Sequence, residues 1–222
     1  MVLSAVSRAF LQSVVAHRAT KPTLFVLALL PLAALIAGVV NHTLGPNPAE
    51  TLIRSLGDWT LRLLCLTLAI TPLRQWTGLS TLARLRRMLG LFTAFYALMH
   101  FSAYAVFDME LVWADIVRDV AKRPFILVGT TAFVLMLPLA ATSFNRAIRW
   151  LGAARWQRLH HAVYAIAMLA ILHFFWMRAG KRNFGEVAVY AAIVAVLLGW
   201  RLYKASKGTR YFMKLGSHSA KG

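Results

Sequence analysis

At 222 residues, 59% hydrophobic and only 14% charged, with a mean hydropathy of +0.63, the chain has more apolar surface than a soluble domain of its length can hide. The formal net charge of +18 would suit nucleic acid, but cations and acids are sorted to opposite ends of the apolar segments rather than gathered on one binding face. A single cysteine, Cys65, excludes an intrachain disulfide and any Cys-based metal cluster.

The opening stretch, residues 1–21, lacks the long apolar core and small-residue cleavage site of a signal peptide and is expected to remain as an interfacial helix on the cytoplasmic side. Six apolar runs follow, each near the length a helix needs to cross roughly 30 Å of hydrocarbon. They cover about Pro22–Val40, Thr51–Ile70, Met88–Phe107, Phe125–Thr142, Leu159–Met177 and Gly185–Tyr203. The second is interrupted by Arg54, Asp58 and Arg62. The expected fold class is therefore an all-α integral membrane protein: one six-helix bundle over residues 22–203 and a basic tail over 204–222.

Charge sets the orientation. Arg and Lys crowd the N-terminal segment, the connections between spans two and three and between four and five, and the C-terminal tail. Glu50, Asp108, Glu110, Asp115, Asp119 and Glu186 fall on the other side. The positive-inside rule then places both termini in the cytoplasm and makes anionic membrane lipid, not nucleic acid, the partner of the basic face.

Four of the seven histidines lie in apolar segments, where a polar group without a partner costs several kcal/mol. Counting from the inner ends, His100 lies about 18 Å into span three and His173 about 21 Å into span five, at about 1.5 Å per residue. Two imidazoles from different helices thus share one level in the outer half of the bilayer, while His160 and His161 lie near the inner face. Opposed imidazoles in an apolar bundle suit the axial positions of a b-type heme, with aromatics such as Phe92, Phe101 and Phe174 as walls. The plain alternative is hydrogen bonding between helices. No carboxylate or thiol accompanies the pair, which disfavours zinc or copper.

Arg54, Asp58 and Arg62, spaced by four, form one stripe. It reads either as an internal ion-pair ladder or as a device that points Arg62 at a heme propionate or a quinone head group. No G-x-G-x-x-G unit or phosphate loop is found, so electrons handled by this chain are expected to come from elsewhere.

The segments GDWTLRLLCLTLAITPLR, RRMLGLFTAFYALMHFSAY, KRPFILVG and RWQRLHHAVYAIAMLAILHFFW resemble the ferric reductase-type transmembrane domain. They are most similar to its branch of heme-binding membrane subunits of periplasmic methionine sulfoxide reductase systems, over about Trp59 to Tyr203. The resemblance implies heme b and FMN as cofactors, with His100, His160 and His173 as heme-iron ligands. Electrons would come from the quinone pool or a cytosolic flavin reductase and pass to a periplasmic molybdopterin methionine sulfoxide reductase subunit. It also implies a multi-pass protein of the bacterial inner membrane, an electron-transfer subunit rather than the catalytic reductase. The rivals are a heme-containing metal-ion or oxygen reductase subunit and a non-redox transporter or scaffold with structural histidines.

Two features depart from the two-heme pattern of the related eukaryotic oxidases. Arg86 and Arg87 stand where helix three would supply an inner ligand, so an inner heme would use His160 alone, His161 as well, or a shared ligand. Otherwise the inner level would hold flavin or quinone against Arg86 or Arg87. His160 and His173 are also thirteen positions apart, roughly 140° around a straight helix, so curvature or a bulge is needed to align them.

Overall fold

A computed structural model describes residues 4–179 and 184–219, and every regular element among the described residues is helical. In chain order these are α1 (Ala5–Ala16), α2 (Thr20–Val40), α3 (Pro48–Thr77), α4 (Ala83–Ala103), α5 (Trp113–Lys122), α6 (Pro124–Ala141), α7 (Asn145–Leu151), α8 (Ala153–His160), α9 (Ala162–Ala179) and α10 (Gly185–Ser219). A short 3₁₀ turn, Ser80–Leu82, leads into α4, and a π-helical turn, Tyr104–Asp108, extends it. Six stretches are long and apolar enough to cross a bilayer: α2, α3, Ser80–Asp108, α6, α8 with α9, and Gly185–Lys207 of α10. They correspond one to one with the six apolar runs of the sequence.

Span two is longer than its apolar run because its ends are fixed by polar chemistry. Asn47 caps α3 by accepting from the Glu50 amide, Pro48 begins the helix, and Gly78 ends it in the left-handed region at φ 73°. Arg54, Asp58 and Arg62 continue the helix through the apparent break, since a helix satisfies its own backbone whatever its side chains carry. Along its inner length Leu61, Leu64, Cys65 and Leu68 pack with Ala97 of α4, Met136 of α6, Ile166 and Ala167 of α9 and Val194 of α10. α2 stands outside this core and buries only Leu35 and Gly38.

Two spans contain an internal proline, and beside each a side chain from a distant helix bonds to the backbone. Beside Pro31 of α2, the hydroxyl of fully buried Tyr96 donates to the Ala28 carbonyl at 2.7 Å and accepts from the Leu32 amide at 3.2 Å. In α3, Pro72 has no N–H for the Leu68 carbonyl, and Arg201 of α10 donates to that oxygen instead. Tyr96→Phe removes the bonds beside Pro31 without changing shape. It is expected to destabilise the bundle by about 0.5–1.5 kcal/mol, the net worth of a hydrogen bond, because the Leu32 amide and Ala28 carbonyl can then pair with each other. A lowered thermal midpoint in detergent, with no loss of helix by circular dichroism, is the result to look for.

Candidate functional site

A cavity of about 500 Å³ opens between α3, α4, α6 and α9. Its deep end is apolar, walled by Leu61, Leu64, Ala97, Ala132, Met136 and Ile166. Phe101 of α4 and Phe133 of α6 stack beside it, ring centroids 5.0 Å apart and planes 14° from parallel. Its other end is polar, where Glu50, Arg54 and Asp58 of α3 meet Asp108 and Arg123.

His100 from α4 and His173 from α9 enter this cavity together, with ring centroids 6.2 Å apart and planes crossed at 73°. The Nδ1–H of His100 donates to the Ile53 carbonyl at 2.8 Å, and that of His173 to the Phe125 carbonyl at 2.6 Å. A carbonyl oxygen only accepts, so each Nδ1 must carry the proton and each Nε2 keeps a free lone pair. This is the ligand tautomer that outer partners impose on metal-bound histidines. Two imidazoles bound through Nε2 to opposite sides of one metal, with bonds of about 2 Å, have ring centres about 6 Å apart. The observed spacing matches that value. An apolar slot with flat aromatic walls, two correctly protonated imidazoles and arginines at its polar end therefore fits a b-type heme with His100 and His173 as axial ligands.

A family model described as ferric reductase like transmembrane component matches residues 56–171. The protein-methionine-sulfoxide reductase heme-binding subunit MsrQ of Polaromonas naphthalenivorans (strain CJ2) is 62% identical over 187 residues, covering 84% of this chain and 85% of that protein. The proteins of the same name from Ralstonia nicotianae and Bordetella pertussis are 51% and 53% identical, covering 87% and 82% of this chain and 89% and 88% of theirs. The chain belongs to the MsrQ family. No solved structure matches it.

The other site residues expected from sequence lie apart from this MsrQ-family cavity. His160 ends α8, where a turn at His161 separates α8 from α9. Its ring stacks on Trp156 at 3.8 Å, its Nδ1–H donates to the Trp156 carbonyl at 3.0 Å, and its Nε2 faces the Ser143 hydroxyl at 3.5 Å. His160 does not line the cavity that holds His173. His161 is exposed and stacks on Tyr164. Arg62 faces α10: its Nε donates to the Tyr190 hydroxyl at 3.1 Å and its guanidinium lies over Trp59. Arg87 is exposed and donates to the Asn145 side chain at 2.7 Å. The arginines at the cavity are Arg54, paired with Glu50, and Arg123, paired with Asp119. Arg54 belongs to the stripe on α3, whereas Arg123, though within KRPFILVG, has no pattern of its own in the sequence that points to a cavity.

The cavity's outer end is fastened by a polar clasp. Asp119 of α5 accepts from the Tyr104 hydroxyl at 2.6 Å and from Arg123. Burial pushes the Asp119 carboxyl up, but the hydrogen bonds from Arg123 and Tyr104 and the Arg123 charge outweigh it and hold it below the usual carboxylate range. A depressed carboxylate contributes stability that is fully present above the ordinary value near about 4 and is lost as pH falls through the folded-state value. The attachment of α5 is thus expected to persist at pH 5 and loosen under stronger acid. Asp119→Asn should weaken it at neutral pH and flatten that acid dependence, as read by hydrogen exchange of α5 amides.

Proposed function

We propose that the chain is a membrane b-type cytochrome subunit that carries electrons across the bacterial inner membrane to a periplasmic, molybdenum-containing methionine sulfoxide reductase. The observation that carries this reading is the crossed His100–His173 pair, 6.2 Å between ring centres, each Nδ1 committed to a backbone carbonyl. Heme held there supplies one-electron transfer by cycling between ferric and ferrous iron. The relatives, named heme-binding subunits of protein-methionine-sulfoxide reductase, point the same way. The reductase partner would convert methionine sulfoxide to methionine, the reversible step of methionine oxidation.

The chain's own residues have definable work in this scheme. His100 and His173 each keep a lone pair aimed into the slot and hold the second ring proton on a main-chain oxygen, so neither exchanges a proton as the electron passes. Phe101, Phe133 and the aliphatic wall exclude water from the deep end. Arg54 and Arg123 at the polar end are placed to meet propionate carboxylates, one of the roles the sequence leaves open for Arg62. Both termini are cytoplasmic in this reading, because the basic connections lie there. The electron donor is membrane quinol or a cytosolic flavin reductase. FMN, and any inner centre using His160, would sit outside this slot.

The test is purification of the full chain in detergent. Red protein with a low-spin bis-imidazole spectrum, reduced by a quinol analogue and reoxidised by the periplasmic reductase in the presence of methionine sulfoxide, is the expected result. Folded but colourless protein would return the histidines to a helix-bonding role and end the proposal.

A further inference from the structure

The two histidines share an arrangement that no motif announces. Ile53, whose carbonyl receives His100, is followed one helical turn later by Gly57, and Phe125, whose carbonyl receives His173, is followed one turn later by Gly129. A methyl group at Gly57 would stand 3.1 Å from His100 Cε1. One at Gly129 would stand 2.7 Å from His173 Nδ1 and 2.8 Å from its Cε1. Each imidazole therefore lies on bare backbone, against a glycine, with its N–H tied to the carbonyl one turn earlier. α3 does this for α4, and α6 does it for α9.

Resting on the bis-imidazole reading above, we infer that Gly57 and Gly129 are positioning residues. With the Ile53 and Phe125 carbonyls they form twin cradles that fix the tautomer of each ligand and lock the two ring planes in their crossed orientation. The bond from Nδ1 sets proton position and ligand basicity, and the missing Cβ sets ring height and rotation. Neither residue touches the iron. Packing alone would let each ring rotate about its Cβ–Cγ bond, but a ring resting on backbone with one nitrogen bonded has a single seat. The orientation matters electronically: crossed imidazole planes leave two ferric iron orbitals nearly equal in energy and give a strongly anisotropic low-spin resonance, whereas parallel planes separate them.

The experiment compares full-length heme-loaded protein in detergent with Gly57→Ala, Gly129→Ala and, as a control, Gly90→Ala, whose added methyl meets nothing closer than 3.7 Å. Heme per chain, low-temperature electron paramagnetic resonance of the ferric form, and midpoint potential are recorded. Expected is the strongly anisotropic low-spin signal in wild type and in Gly90→Ala, its loss in Gly129→Ala with high-spin or shifted low-spin iron in its place, and a smaller shift in Gly57→Ala. The ranking follows the two clearances. If Gly129→Ala fails to fold, the shift in Gly57→Ala decides. Glycine variants indistinguishable from Gly90→Ala, in protein whose wild-type signal is bis-imidazole, overturn the cradles alone. Wild-type protein lacking a bis-imidazole signal overturns the cradles together with the reading on which they rest.

Discussion

Replacing His173 by alanine is expected to abolish the low-spin bis-imidazole spectrum, and His100→Ala should do the same. Each substitution removes one of the two imidazoles that, among the described residues, line the cavity. The vacated side offers the Phe125 or Ile53 carbonyl, a poor ligand for ferric heme iron. Any heme retained would be five-coordinate and high-spin, with weakened Soret and α bands and a changed potential. Occupancy is expected to fall roughly tenfold or more, since one lost bond worth even a few kcal/mol exceeds the 1.4 kcal/mol that each tenfold represents. His160→Ala is the informative contrast. Its ring lies on Trp156 outside the slot, so the signal of the His100–His173 centre should persist. Absorption spectra of the three variants at matched protein concentration check the prediction. Unchanged heme in His173→Ala would refute the assignment outright.

The second large effect concerns the slot rather than its ligands. Ala97 lies on α4 one turn before His100, is buried, and lines the cavity opposite Ala132 of α6. Ala97→Phe would place a ring where the macrocycle belongs and leave both imidazoles and their carbonyl partners in place. Filling a preformed cavity offsets part of the usual 1–3 kcal/mol overpacking cost, so the apoprotein is expected to fold with near-normal stability. Heme per chain should fall by roughly tenfold or more. Stable but colourless Ala97→Phe protein would separate recognition of the macrocycle from ligation of its metal, which the histidine variants cannot do. Retention of full heme content would mean that the cavity is not its seat.

What could be read without coordinates follows from the geometry of a helix. Rise per residue is nearly constant, so counting from the basic inner ends put His100 and His173 at one level, and the structure brings their rings together there. Rotation about the axis is less legible, because one turn, one proline or one bulge resets it. The break at His161 and Pro72 in α3 are such resets. Arg62 shows the same limit from another side. The stripe of Arg54, Asp58 and Arg62 was recognised, but its deepest member turns to Tyr190, 128 positions along the chain, and no local pattern signals that partner. Gly57 and Gly129 were inside the segments that carried the family resemblance, the first residue of GDWTLRLL and the last of KRPFILVG. A lone glycine in a transmembrane helix ordinarily reads as close helix packing. Only the position of each imidazole gives those two glycines a chemical meaning.

The way Tyr96 bonds the backbone beside Pro31 bears on how the protein is made. α2 emerges from the ribosome before α4, ahead of a tyrosine that lies 68 and 64 residues beyond its Ala28 carbonyl and Leu32 amide. At 5–20 residues per second, synthesis of that interval takes roughly 3 to 13 s. Over that time the first span can already pack on α3, through Leu35 against Leu56 and Leu63, while the hydroxyl beside Pro31 is still missing. The final seating of this segment is therefore completed after its insertion, when the third span delivers its tyrosine.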